Sequence, residues 1–479
     1  MRTNLLMALL AAGLSRTLGL SADDSLAWPR FRGPNGSGVA DHAKPPVEFG
    51  PDRNVKWKVP VPSGLSSPIV AGDKLVITAF DDGRLYTLAY RFNDGAEAWR
   101  AEAPFKQLEP YQRTEGSPAT ATPATDGKRI VTYFGSCGLF CYDLTGKTLW
   151  KSEMAPAATG GDFGSGVSPI IADGLVVLVR DEKKEARIIA LDAATGARKW
   201  EQARLPATSY CTPVEWNAPN GKQIVAAGHA RMVGYDLKTG GEKWFMNGMP
   251  AGCIPSPVVA DEKVFFAGGG GGADDKEFQM PSFDSMLKDL DKDGDGALSK
   301  EEADKALQGF FDNQDANKDG KITRDEWEAL AKFVAEGKNS AFALKAGGSG
   351  DITSSHVVWK KTKGLPWVTS AILYRGQYVM VKDGGIVTSY DAKTGEQVYQ
   401  ERVAAAGQYY ASPVAANGHI YFTSLQDGTV TVLEAGREKP EVLATNSKLG
   451  ERTAATPAIA GDVLFIRTAK HLYAFAERK

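Results

Sequence analysis

The chain has 479 residues, 52 of them Gly and 25 Pro, with 43% apolar residues and a formal charge of −2. That length and apolar fraction suffice for a sizeable buried core, and the abundance of Gly and Pro calls for many turns, as in all-β folds. A near-neutral chain with no cluster of Lys and Arg interleaved with aromatics excludes nucleic acid as a partner.

The first residues read as an export signal. Arg2 is a short positive start, Leu5 to Leu14 is apolar but too short to span a bilayer, and Leu20-Ser21-Ala22 offers a cleavage site before Asp23. Residues 1–22 are therefore expected to be removed on export to the periplasm or the exterior. No later stretch is long and apolar enough for a transmembrane segment. Four Cys in an exported chain permit disulfides, and Cys211 and Cys253, at equivalent points of successive repeats, are the pair expected to form one.

A repeat follows. Each unit opens with Ser-Pro or Thr-Pro and runs into an apolar strand: Ser67-Pro68, Thr122-Pro123, Ser168-Pro169, Thr212-Pro213, Ser256-Pro257, Ser412-Pro413 and Thr456-Pro457, with Ser370-Ala371 in the same place without the Pro. The spacings are 55, 46, 44, 44, 114, 42 and 44 residues, so only the fifth is anomalous. Each unit closes with a tight turn and a strand carrying Trp, as in Thr195-Gly196-Ala197-Arg198-Lys199-Trp200; Trp99, Trp150 and Trp244 end others, and Tyr399 replaces Trp in the sixth. The Trp side chains are expected to pack between neighbouring sheets. Four short strands at this period make one propeller blade, and eight blades close a ring without exposed edges. The eighth unit ends before its Trp strand, which Asn54 to Pro60, carrying Trp57, is expected to supply. The reading is thus an all-β, eight-bladed propeller latched by strands from both termini.

This pattern resembles the PQQ-binding-like β-propeller repeat family, which includes quinoprotein dehydrogenase propellers and the outer-membrane assembly factor BamB. The opening Trp28-Pro-Arg-Phe-Arg-Gly-Pro-Asn-Gly36 is similar to the entry segment of exported bacterial members. The resemblance covers about residues 27–272 and 340–479. It implies the fold; one propeller fold hosts many activities.

The anomalous spacing holds a different composition. After Gly268 to Gly272, a flexible linker, the chain becomes acidic and helical until Ala341, giving an inserted unit over 273–339 in a loop of blade five. It contains two twelve-residue loops, Asp291 to Glu302 and Asp315 to Glu326. Calcium takes six to eight hard oxygens, and EF-hand loops supply them at positions 1, 3, 5, 7, 9 and 12 with Gly at 6. The first loop offers Asp291, Asp293, Asp295, the Ala297 carbonyl, Ser299 and Glu302 around Gly296. The second offers Asp315, Asn317, Asp319, the Lys321 carbonyl, Thr323 and Glu326 around Gly320. Two calcium ions are expected, with Leu298 and Ile322 pairing between the loops. Phe283, Met286, Leu287 and Leu290 repeat at helical spacing before them, and Trp327, Leu330, Ala331 and Val334 after. The loops start 24 residues apart. Ala303 to Gln314 is too short for two full helices, so a shared or broken helix is expected, with Phe310 and Phe311 covering both sites. That arrangement favours a structural or weak extracellular-type site over a switching sensor.

No catalytic motif is present. His42, His229, His356, His419 and His471 are scattered, and there is no His-Glu-x-x-His, Gly-x-Ser-x-Gly or dinucleotide-binding Gly pattern. The ligand surface is expected at one channel mouth, where the loops entering each blade carry Arg113, Glu115, Phe163, Tyr210, Trp367, Tyr409, Tyr410, Glu451 and Arg452. Among these, Tyr210, Trp367 and Tyr409 are the candidates to hold a planar cofactor. Two functions remain: an exported, noncatalytic, calcium-binding scaffold for a protein or cell-surface partner, and, as the resemblance implies, a quinoprotein oxidoreductase using PQQ. Quinoprotein dehydrogenases place a disulfide between adjacent Cys against the cofactor, and this chain has no adjacent Cys. The scaffold reading is preferred.

Overall fold

The computed structural model describes residues 28–477, apart from residues 261, 270–279, 309–310 and 316. The expected export signal, most of the Gly linker and Phe310 lie outside the described residues. Among those described, the propeller strands form eight sheets, one per repeat, each with four antiparallel strands and that of blade 4 with a fifth added at its edge, arranged as an eight-bladed propeller.

Blade 1 sets the pattern. Its inner strand, Ile69–Ala71, pairs with Lys74–Asp81, then Arg84–Arg91, then Glu97–Ala103. The inner strand is wholly buried, the middle strands are buried along most of their length, and the outer strand alternates between water and the core. That gradient explains the composition: near-continuous Val, Ile, Leu and Ala inside, period-two patterning outside. In blade 8 the strands Ala458–Ala460, Val463–Arg467 and His471–Phe475 are completed by Val55–Pro60, with Trp57 opposite Ala474. The two ends of the chain therefore share one sheet and latch the ring.

The repeated Ser/Thr closes a ring of its own. The Ser67 N–H donates to the Thr122 hydroxyl, Thr122 to Ser168, Ser168 to Thr212, Thr212 to Ser256, Ser256 to Ser370, Ser370 to Ser412, Ser412 to Thr456, and Thr456 back to Ser67, all at 2.9–3.1 Å. All eight residues are buried.

A second ring of contacts lies further out. Trp57, Trp99, Trp150, Trp200 and Trp359 each donate their indole N–H to a backbone carbonyl of the next blade, at 3.0–3.2 Å. Each lies over the Gly of that blade's turn: Gly95, Gly146, Gly196, Gly240 and Gly395, at φ of 71–90°. A Cβ there would sit 2.4–2.7 Å from the indole, so these turns need Gly both for backbone and for clearance. Trp244 departs from the pattern. Blade 5 carries a longer turn, from which Gly350–Asp351 pairs as a fifth strand with Glu242–Asn247 of blade 4. Trp244 donates instead to Gln223 of its own blade.

The entry segment crosses one channel mouth. Trp28 accepts from Val70 of blade 1, Pro29 from Thr125 of blade 2, Asn35 exchanges bonds with Glu215 of blade 4, Arg32 donates to Ala371 of blade 6, and Gly38 accepts from Ala415 of blade 7. A strap bonded to blades on opposite sides of the ring closes that mouth. Antiparallel pairing places the entry loops, and the turns between second and third strands, on the other face. The insertion joins Lys263–Gly268 to Ser340–Lys345, the second and third strands of blade 5, and so rises from this open face.

One expectation is corrected. All four Cys are buried free thiols, and the Cys211 thiol donates to the Cys253 carbonyl at 3.3 Å in place of a disulfide.

Replacing Ser370 by Ala leaves the buried Ser256 N–H without its acceptor. The variant is expected to lose about 1–3 kcal/mol of stability by urea unfolding, with the circular dichroism of the folded state unchanged.

Candidate functional site

The insertion is built from α1 (Phe283–Leu290), α2 (Lys305–Gln308), α3 (Phe311–Gln314) and α4 (Arg324–Glu336). Ser282 caps α1 by accepting from the Ser285 N–H. Phe283, Leu298, Ala303, Leu307, Phe311, Ile322 and Trp327 form its core, with Met286, Leu287 and Leu290 packed alongside. The segment between the loops is a broken pair of one-turn helices, and Phe311 is buried beneath it. Leu298 and Ile322 pair in a short antiparallel bridge.

The two loops share one hydrogen-bonding scheme. In the first, Asp291 accepts from Gly294 and Gly296, Asp293 from Asp295, and Asp295 from Ala297. In the second, Asp315 accepts from Asp319 and Gly320, Asn317 from Asp319, and Asp319 from Lys321. Gly296 and Gly320 take φ of 80° and 87° at the bend. Each twelfth-position Glu reaches back across its loop. Glu302 accepts from the Lys292 N–H at 2.8 Å and from both N–H and hydroxyl of Ser299. Glu326 accepts from the Asn317 N–H at 3.1 Å and likewise from Thr323. Backbone donors, that of Ser299 foremost, hold Glu302 down to a pKa of about 2. Carboxylate oxygens of Asp291, Asp293 and Glu302 lie within 4.8 Å of one another, a concentration of like charge suited to a divalent cation.

One side chain opposes that cation. The Lys321 ammonium pairs with Asp295, fifth-position group of the other loop, and lowers its pKa. Only the Lys321 carbonyl serves the ion scheme.

On the open face the entry loops interlock. Tyr410 donates to Glu115 at 2.8 Å, and Arg452 contacts Glu115 at 2.9 Å while lying over the Tyr410 ring. This joins blades 2, 7 and 8. The other expected mouth residues lie apart. Glu451 is held by His471 and the Lys470 N–H in its own blade. Tyr409 is buried and donates to Ala405, Tyr210 is half-buried over Gly160, and Phe163, Trp367 and Arg113 are exposed.

With this geometry in view, comparison with known proteins is informative. The family described as outer membrane protein assembly factor BamB matches residues 88–273 and 348–478, well over half of the chain. The chain belongs to this family. An EF-hand model matches 283–302 and 307–331. Among solved structures, BamB from Moraxella catarrhalis is similar at 13% identity, over 88% of this chain and 96% of that one, with a TM-score of 0.53. The computationally designed Ika8 protein matches at 10% identity, over 88% and 100%, with a TM-score of 0.56. A europium-containing methanol dehydrogenase matches at 10%, over 94% and 98%, with a TM-score of 0.54. At these identities the likeness is one of fold. No curated protein matches the sequence.

The structure adds a site that sequence reading misses. Tyr133, Thr159, Ser165, Arg180, Asp181, Ser209 and Tyr210, from blades 2 to 4, surround a cavity of about 10 Å³, room for a single water. Arg204 forks onto Asp181, at 2.7 Å from Nε and 3.1 Å from Nη2, and the Ser209 hydroxyl donates to the same carboxylate. Beside them Glu109 is buried, accepts from the Ser165 N–H at 2.9 Å, and has one carboxyl oxygen without a partner. Desolvation pushes its pKa up to about 7. The one sequence signal is Arg180-Asp181-Glu182 directly after the apolar run Leu175 to Val179.

Two outcomes follow from these contacts. Lys321→Met removes the competing ammonium; since exposed ion pairs are weak, calorimetry should find calcium at the first loop tightened, by about five-fold at most. Glu109 binds a proton in the folded state between pH 4.5 and about 7 that the unfolded chain has released, so its contribution to stability falls as pH rises through that window. Glu109→Gln should abolish that part of the decline, on the order of 3 kcal/mol, in urea unfolding followed from pH 4.5 to 8.

Proposed function

We propose that this protein is an exported, calcium-binding propeller that acts as a noncatalytic scaffold for a partner protein or cell-surface material. Two calcium ions are held by Asp291, Asp293, Asp295, Ala297, Ser299 and Glu302, and by Asp315, Asn317, Asp319, Lys321, Thr323 and Glu326. The observation that carries the calcium reading is the shared scheme of the two loops, in which backbone N–H groups hold the side-chain oxygens of each loop together. Preorganisation of this kind lowers the ordering cost of binding. A fixed scheme on a broken central helix supports a structural role over a switch.

For the scaffold reading, support comes from the family, described as an assembly factor, and from the open face. Glu115, Tyr410 and Arg452 use their polar groups on one another, and the polar cavity nearby has room for one water. No described helix is long and apolar enough to cross a membrane. The alternative, a PQQ-dependent oxidoreductase, shares the fold and predicts cofactor binding and dye reduction.

Calorimetry on the purified protein tests both readings. Two calcium sites are expected, one lost in Glu302→Gln and the other in Glu326→Gln, with no heat on adding PQQ. Calcium heats unchanged in the double variant would overturn the ligand assignment. PQQ binding with alcohol-dependent dye reduction would overturn the scaffold reading.

A further inference from the structure

We infer that calcium in the second loop clamps the insertion onto blades 3 and 4, and so holds in place the loop that walls the buried polar cavity. This inference rests on the calcium reading above.

The insertion is continuous with blade 5 at its two ends, and among the described residues it also touches blades 3 and 4 and the entry loop of blade 5. Lys318, at the fourth position of the second loop, bonds Asp162 at 2.9 Å, and α3 packs against the turn Gly160–Asp162 in the entry loop of blade 3. On the other side of the ion site, Phe333 of α4 stacks on His229 of blade 4, with ring centres 4.1 Å apart and planes 11° from parallel. Glu336, three residues on, contacts the same imidazole at 3.2 Å. The Lys338 N–H then donates to Met249 at 2.8 Å, where Gly337 runs so close to Ala251 that a Cβ would lie 2.2 Å from the Ala251 nitrogen.

The contacts with Asp162, with the Gly160–Asp162 turn and with His229 are made from the second loop or from the helices on either side of it. The helix α3 ends at Gln314, immediately before Asp315. Lys318 stands between Asn317 and Asp319, at a φ of 63°. The helix α4 begins at Arg324, and Glu326 in its first turn closes the loop. Without a cation, Asp315, Asp319 and Glu326 repel one another, and α3, Lys318 and α4 are held together by their packing and the hydrogen bonds of the loop alone. A bound ion fixes their relative positions, and with them the spacing between the Asp162 contact and the His229 contact. Two surface contacts that are weak singly then act as one bidentate attachment.

The clamped turn is also part of the cavity. The same entry loop supplies Thr159, Ser165, Gly166 and Val167 to its wall. Gly160 donates to Thr208 at 2.7 Å, Gln112 donates to Gly161 at 2.8 Å, and Ser165 donates to Glu109. Anchoring Asp162 from outside therefore restrains the wall that hides Glu109. Linkage makes the effect reciprocal: if calcium tightens the dock, the dock tightens calcium by the same factor.

Hydrogen exchange on the full chain, with calcium or with chelator, tests this. Calcium is expected to slow exchange of residues 155–168 by at least about five-fold, an effect kept in Glu302→Gln and lost in Glu326→Gln. Lys318→Ala and Phe333→Ala should each still bind two calcium ions by calorimetry, more weakly at the second loop, while losing the protection of 155–168. Unchanged exchange in 155–168, alongside calorimetry reporting two bound ions, would overturn the clamp and leave the calcium reading standing. No calcium heat at all would overturn both.

Discussion

The ring of eight Ser and Thr residues around the channel is the constraint on which the rest of the molecule depends. Each backbone N–H at the head of an inner strand is buried and needs an acceptor, and the only one offered is the hydroxyl of the next repeat. Such a chain of bonds is fully satisfied only if it closes. Seven of the eight positions are followed by Pro, which has no N–H of its own, so a single donor per blade has to be satisfied at the axis. Blade number, the approach of inner strands and the level at which each strand enters the ring are set together.

From that ring the division of the surface follows. The strands leave it alternately downward and upward, so entry loops and second-to-third turns share one face, and short first-to-second turns share the other. The strap from Trp28 to Ala40 closes the second face, fastened by backbone bonds to Val70, Thr125 and Ala415. Variation is left to the first. There the chain places its longest loops, its interlocked Glu115, Tyr410 and Arg452, its buried Glu109, and its helical insertion.

What was legible in the sequence was whatever repeats at fixed spacing. The Ser/Thr heads, the Gly-to-Trp tails and the calcium loops are local patterns whose chemistry requires particular residues at particular intervals, and blade count and latch followed from them. Contacts between loops of different blades carry no such interval. Glu109, Arg180, Asp181, Arg204 and Ser209 come from three repeats and meet only because the blades are packed side by side. Trp244 reads like any other tail Trp, but the turn it should cover is lengthened in blade 5, and its indole turns to Gln223. Cys211 and Cys253 are neighbours, but the expected disulfide does not form; the Cys211 thiol faces the Cys253 carbonyl, an orientation that spacing does not encode. Tyr409 looked like a surface aromatic of the mouth and is instead packed away, its hydroxyl spent on Ala405.

The insertion shows how little the ring is troubled by what hangs from it. Ser256 and Ser370 are 114 residues apart where other heads are separated by about 44, yet their bond is 2.9 Å, within the range of the others. For a flexible loop, closure entropy rises only as the logarithm of length, so this difference would cost about 0.8 kcal/mol, comparable with the net worth of one hydrogen bond. The inserted unit has a core of its own, with Phe283, Leu298, Ile322 and Trp327 buried together, and that packing limits the freedom lost where blade 5 pairs Gly268 with Ser340. The same reasoning places the insertion where it is. A break within the inner strand would interrupt the ring, and the turn between the third and outer strands of blade 5 is already engaged, its Gly350–Asp351 paired with blade 4. The turn between the second and third strands bears on neither, and it opens onto the face that the strap leaves uncovered.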